Sequence, residues 1–109
     1  MAENYKILGQ SNPAATTLTD IYTVPANAEA VVSTIVICNT TSSNSKIRVA
    51  VAIAGVADIL AQYLLYDIKV LRNDTLKLTI GMSLSAADVI RAFSDITNVA
   101  FNVFGTEIT

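Results

Sequence analysis

The sequence predicts an all-β protein: a single antiparallel β-sandwich, jelly-roll-like, of about eight strands with minimal helix. Three observations point there. Turn signals recur at short intervals along the chain: residues 9–14 (GQSNPA), 25–27, 39–45 (NTTSSNS), 72–74, 81–85, 95–98 and Gly105. The segments between them are rich in Val, Ile, Thr, Tyr and Phe, and several alternate apolar with polar residues, as a strand with one buried face requires. The length, 109 residues, fits one domain, and such a chain buries roughly 60–70% of its unfolded surface. Residues 1–109 are therefore read as one sandwich domain, with 1–15 as an N-terminal strand or arm and 16–109 as its core.

Taken in order, the first clear strand ends at a Val24-Pro25 corner. Proline fixes φ and offers no ladder donor, so the corner reads as the turn between two antiparallel strands, the second beginning at Glu29. That second strand, 29–38, breaks the alternating pattern. Ala30, Val32, Thr34, Val36 and Cys38 share one face, and Val31, Ser33, Ile35 and Ile37 the other. A strand oily on both faces is normal where both are covered. A domain of two layers has no third layer to cover an outer face, so a neighbouring subunit is the simplest cover. Residues 63–66 (YLLY) are apolar throughout for the same reason. Val31, Ser33, Ile35, Ile37, Tyr63 and Tyr66 are accordingly the candidate interface residues.

The remaining strands are plainer. In 46–53, Ile47, Val49, Val51 and Ile53 oppose Lys46, Arg48, Ala50 and Ala52. In 75–80, Leu76, Leu78 and Ile80 oppose Thr75, Lys77 and Thr79. In 88–93, Val89, Arg91 and Phe93 oppose Asp88, Ile90 and Ala92. In 98–104, Val99, Phe101 and Val103 oppose Asn98, Ala100 and Asn102. Residues 51–65 (VAIAGVADILAQYLL) are the ambiguous stretch. Ile53, Val56, Leu60 and Leu64 fall near one helical stripe, but Gly55 and the β-branched neighbours favour strand, loop, strand, with a short helical turn near 58–61 as an option.

Composition narrows the function more than any motif. The chain is 52% hydrophobic and 15% charged, against a usual charged share of about 25%. A small domain has much surface, so this deficit leaves apolar or hydroxylic surface exposed, a mark of interfaces. The net charge is -2, from seven basic and nine acidic residues scattered singly, so no basic patch for nucleic acid is present. The longest apolar stretch, 49–57, is about half of a membrane-spanning helix, and no export signal opens the chain, so no membrane partner is expected and the chain reads as soluble and made in the cytoplasm. The lone Cys38 reads as a small buried hydrophobe.

The chain has no histidine, which removes the commonest general base, Ser-His and Cys-His nucleophiles and most metal sites. No phosphate-cradling glycine loop occurs. Asp20, Asp58, Asp67, Asp74, Asp88 and Asp95 fall at strand ends or turns, where each reads as a turn cap. No Asp-x-Asp-x-Asp loop supports calcium. The sequence therefore carries no catalytic, cofactor-binding or metal-binding candidates, and the expectation is a protein that is not an enzyme.

Residues 21–41 (IYTVPANAEAVVSTIVICNTT), 46–55 (KIRVAVAIAG) and 76–109 (LKLTIGMSLSAADVIRAFSDITNVAFNVFGTEIT) together resemble a class of small bacteriophage virion proteins and domains. Tyr22-Thr23-Val24-Pro25, Cys38-Asn39 and Phe104-Gly105 carry the resemblance. The chain departs from the pattern at Ala86-Ala87-Asp88, where a glycine more often precedes the aspartate. The resemblance implies a structural protein of the virion, assembled in the host cytoplasm: a capsid decoration (cement) protein, or a tail, neck or fibre-tip component. It implies a β-sandwich in a symmetric homo-oligomer, most often a homotrimer, contacting other virion proteins such as the major capsid protein. The alternative is a tail or fibre module that recognises host-surface glycan, using a groove near Tyr63, Tyr66, Asn73 and Asn98.

Overall fold

The structure is a computed structural model that describes residues 2–109. Eight strands form two four-stranded antiparallel sheets packed as one sandwich. The strands are β1 (Glu3–Ser11), β2 (Thr19–Thr23), β3 (Glu29–Asn39), β4 (Ser45–Ala52), β5 (Tyr63–Val70), β6 (Thr75–Leu84), β7 (Val89–Ser94) and β8 (Val99–Ile108). One sheet has the order β1-β8-β3-β6 and the other β2-β7-β4-β5. The pairings β1–β8, β2–β7, β3–β6 and β4–β5 are nested, so the chain is a two-stranded ribbon whose successive pairs alternate between the sheets. This is the jelly roll that the alternating, turn-punctuated sequence predicts.

The Pro25 corner does not join paired strands, contrary to the sequence reading. β2 pairs with β7, while β3 pairs with β6 and β8, so the corner carries the chain from one sheet to the other. Asn27 completes the turn at φ 63°, a left-handed conformation that asparagine tolerates. Ala28 N–H donates to the Pro25 carbonyl at 3.2 Å.

β3 holds the second correction. A register irregularity between Val32 and Thr34, against both neighbouring strands, reverses the parity of its side chains. Ala30 and Val32 face the core before it, and Ile35, Ile37 and Asn39 after it, all buried. A bulge does this because the side-chain period is two, so one irregular residue exchanges the faces. Val31 and Ser33 therefore lie outside, followed by Thr34, Val36 and Cys38. Cys38 is half-buried, not a core residue. Gly105, expected at a turn, lies within β8 opposite Val32; a Cβ there would collide with the Val31 carbonyl oxygen. Gly81 likewise sits inside β6, and the turn comes at residues 85–88.

The core is filled from both sheets by Val24, Val32, Ile35, Ile37, Ile47, Val49, Ile90, Val99, Phe101 and Val103. β6 and β8 keep the alternation read from the sequence. β7 faces the core with Ile90, Ala92 and Ser94, and Val89 is buried on its other face. β4 departs from its expected pattern at the end. Val51 is half-buried, Ala50 and Ala52 are fully buried, and Ile53 lies outside the strand, 76% exposed. The buried polar groups Asn39, Ser45 and Ser94 are partnered: Asn39 Nδ2 donates to the Ser43 and Val70 carbonyls, and Ser45 and Ser94 share a hydroxyl contact at 2.9 Å.

Candidate assembly interface

Residues 53–62 form a loop between β4 and β5 with two short 3-10 turns, Ile53–Gly55 and Leu60–Gln62. This settles the ambiguous stretch as strand, loop, strand. Ile53, Val56, Ile59 and Leu60 point to solvent, with Leu60 78% exposed. A soluble loop is normally polar, because its side chains face water, so four exposed apolar side chains in eight residues form a patch of the kind that marks an interaction surface.

Polar anchors hold this loop. Arg91 on β7 donates through Nη1 to the Val56 carbonyl at 2.8 Å and through Nη2 to the Gly55 carbonyl at 3.1 Å. Its Nε pairs with Asp20 on β2 at 2.9 Å. Ala54 N–H donates to the Asp88 carboxylate at 2.9 Å. Gln62, itself buried, donates from Nε2 to the Ala57 carbonyl at 3.1 Å. Gly55 lies against the Val89 side chain. The loop thus folds back over the side of β4 and β7 that carries Ala50, Ala52 and Val89. Ala50 pairs with Arg91 and Ala52 with Val89, and this cover explains why both alanines are buried. The loop's backbone is fixed while its apolar side chains are left bare, a preorganised arrangement that lowers the ordering cost of binding.

The second charge-poor surface is the outer face of the β1-β8-β3-β6 sheet. The register aligns Tyr5, Thr106, Val31 and Ser83 in one row, then Ile7, Phe104, Thr34 and Thr79, then Gln10, Asn102, Val36 and Lys77. Tyr5 and Ile7 are well exposed and Val31 is 38% exposed. Glu3 and Glu29 lie in register at one end of the face, each opposite Ile108. Lys77 is the one charge within these three rows.

The sequence-derived candidates divide between core and surface. Ile35 and Ile37 are 0% exposed within the chain itself, so they cannot also line a surface. The bulge in β3 separates them from Val31 and Ser33, which lie on the outer face, where the Ser33 hydroxyl donates to the Phe104 carbonyl at 3.1 Å. Tyr63 and Tyr66 meet edge to face, with ring centroids 5.0 Å apart. The Arg48 guanidinium lies 4.2 Å from the Tyr66 ring centroid and 4.4 Å from that of Phe93. Its Nε pairs with Asp67 at 2.7 Å, and that hydrogen bond holds the Asp67 carboxyl below the usual carboxylate range. Burial and a hydrogen bond to Asp58, at 2.9 Å, push the Tyr63 phenol up.

One polar cluster, built around the buried Glu107 carboxylate, escaped the sequence reading. Glu107 on β8 accepts a hydrogen bond from the Tyr22 hydroxyl at 2.7 Å and an ion pair from Lys6 at 2.8 Å. The Lys6 contact first, then Tyr22, holds its carboxyl below the ordinary glutamate value, and burial beside this carboxylate pushes the Tyr22 phenol well up. These three residues come from β1, β2 and β8, so the cluster fastens the edge strand β1 to both sheets. The pairing of residues 6, 22 and 107 has no local spacing by which a sequence could announce it.

The six aspartates have mixed roles. Asp74 and Asp88 accept nearby backbone N–H groups at turns, as expected of caps, whereas Asp95 reaches across to the Lys46 N–H and the Ser45 hydroxyl at the start of β4. Asp20 and Asp67 instead pair with arginines, and Asp58 accepts the Tyr63 hydroxyl. Among the described residues no group of three or more His, Cys, Asp or Glu side chains is placed to hold a metal ion. No helix among them is long and apolar enough to cross a membrane.

No family model matches the chain, and no curated protein matches it. Among solved structures, the crystal structure of a pentameric capsid protein isolated from metagenomic phage sequences is similar, at 16% identity and a TM-score of 0.42. The similarity covers 97% of this chain, which spans 64% of the length of that protein.

Proposed function

We propose that this chain is a non-enzymatic structural protein of a bacteriophage virion, and within that class a capsid decoration protein that stabilises the head through contacts with its own copies and with capsid subunits. The observation that carries this reading is the fixed, bare apolar loop at 53–62, joined to a second charge-poor surface on the opposite sheet. Apolar area buried at an interface contributes ~25 cal/mol per Å² before the costs of association. Two such surfaces on one small domain suit a protein that meets several neighbours, where many modest contacts add up. The residue pattern at 21–41, 46–55 and 76–109 points to the same class.

A glycan-binding tail module is the weaker reading. Sugar recognition on Tyr66 needs a free ring face, and one face of that ring is taken by the Arg48 guanidinium. Asn73 and Asn98 occupy left-handed turn positions, with φ of 54° and 64°, which accounts for those asparagines without a ligand.

The test is addition of purified protein to phage heads that lack it. Co-sedimentation with the heads and a higher temperature of DNA release are the expected results. Heads that neither bind the protein nor gain stability would exclude the decoration role.

A further inference from the structure

The two charge-poor surfaces are complementary in charge as well as in character. The 53–62 loop carries one charged residue, Asp58, set among Val56, Ile59 and Leu60. Its Oδ2 accepts the Tyr63 hydroxyl, and among the described residues its Oδ1 accepts no hydrogen bond. The central rows of the β1-β8-β3-β6 face carry one charge, Lys77, exposed beside Val36 and without an ion-pair partner among the described residues. A single anion in an apolar projection and a single cation in an apolar and hydroxylic plain are the halves of one contact.

We infer that the 53–62 loop of one copy seats on the outer face of the β1-β8-β3-β6 sheet of a second copy, with Asp58 meeting Lys77. The occupant is a second copy because the chain itself supplies both halves. The contact joins two different patches, loop to sheet face, so it is heterologous. Such a contact leaves one half of every end subunit unsatisfied until the assembly closes into a ring. The apolar side chains supply the buried area, and the charge pair fixes orientation and excludes wrong registers. Arg91 and Asp88 contribute by holding the loop in its docking shape before the encounter. The inference deepens the structural reading above and rests on it only for the expectation of an oligomer.

Charge exchange tests it. Wild type, Asp58→Lys, Lys77→Asp and the double variant would be compared by sedimentation velocity across a concentration series, with circular dichroism to verify folding. All the altered side chains are exposed, so all four proteins should fold alike. The wild type is expected to be oligomeric. Each single variant places like charges in contact and should weaken association at least about tenfold, and the double variant should regain most of it with the pair reversed. A monomeric wild type, single variants that associate normally, or a double variant no better than the singles would each overturn the contact. Head binding, measured separately on the same proteins, distinguishes the two failures. A wild type that binds heads while the charge exchange has no effect refutes this contact and leaves the decoration reading intact. A charge-dependent oligomer that ignores heads does the opposite.

Discussion

Two connections in this molecule are apolar and fixed, and they differ in what covers them. The corner at 24–28 buries Val24 and Ala28 in the core. It is also bonded to the turn at 85–88: Val24 N–H donates to the Asp88 carbonyl, and Ala87 N–H to the Val24 carbonyl, both at 3.0 Å. The loop at 53–62 is tied to the same turn, through Ala54 and the Asp88 carboxylate, yet it turns Ile53, Val56, Ile59 and Leu60 to water. In the corner, apolar burial and hydrogen bonding act together. In the loop, order comes from Arg91, Asp88 and Gln62, and the apolar side chains add little to the stability of the lone chain. An ordered element whose oily residues do not serve its own fold has them free to serve a contact.

That contrast can be broken at four places. The largest effect is expected at the corner, where Val24→Asp buries an unpaired carboxylate and should cost about 4 kcal/mol or more, measured by urea unfolding. A near-wild-type midpoint would mean the corner is not sealed. Next is Arg91→Ala, which removes the donors to Gly55 and Val56 and the pair with Asp20. About 1–3 kcal/mol is expected, with hydrogen exchange accelerating at Ala54 and Val56 while the β4 and β7 ladders keep their protection. Uniform acceleration across the sheet would show that Arg91 holds the fold and not the loop. The turn shared by both connections comes third. Ala87 adopts φ 70°, a conformation costly for a residue with a Cβ, so Ala87→Gly should stabilise by about 0.5–1 kcal/mol; a lower thermal midpoint would contradict the strain. The smallest effect is expected for Leu60→Ser, within about 0.5 kcal/mol on the isolated chain. A loss much above that would place Leu60 in the chain's own packing.

Much of the sandwich was legible because strands and turns write themselves locally. The runs at 75–80 and 98–104 alternate without interruption, and the structure keeps both. The departure at Ala86-Ala87-Asp88 was also legible as a missing glycine, and Ala87 is where the backbone turns left-handed. β3 misled because parity read along a strand holds only until a bulge, and the irregularity after Val32 depends on two neighbouring strands. Hence Ile35 and Ile37 went to the core while Val31 and Ser33 stayed outside. The loop at 53–62 was legible only as the middle of a stretch ambiguous between helix and strand, loop, strand, because its fixed, exposed shape follows from Arg91 and Asp88, more than twenty residues away. The Lys6, Tyr22 and Glu107 cluster required the whole topology, since it joins the first, second and last strands.

The nested pairing of the strands also has a consequence in time. β4 and β5 are separated by ten residues, whereas Glu3 pairs with Ile108 across nearly the whole chain. Closing a longer loop costs more entropy, and non-local pairing slows folding. The ribbon should therefore zip from its middle outward, with β4–β5 early and β1–β8 last. Pulse-labelled hydrogen exchange during refolding would show that order as protection at β4 and β5 before β1. On a ribosome, the first strand made would then wait for the last before it finds its place.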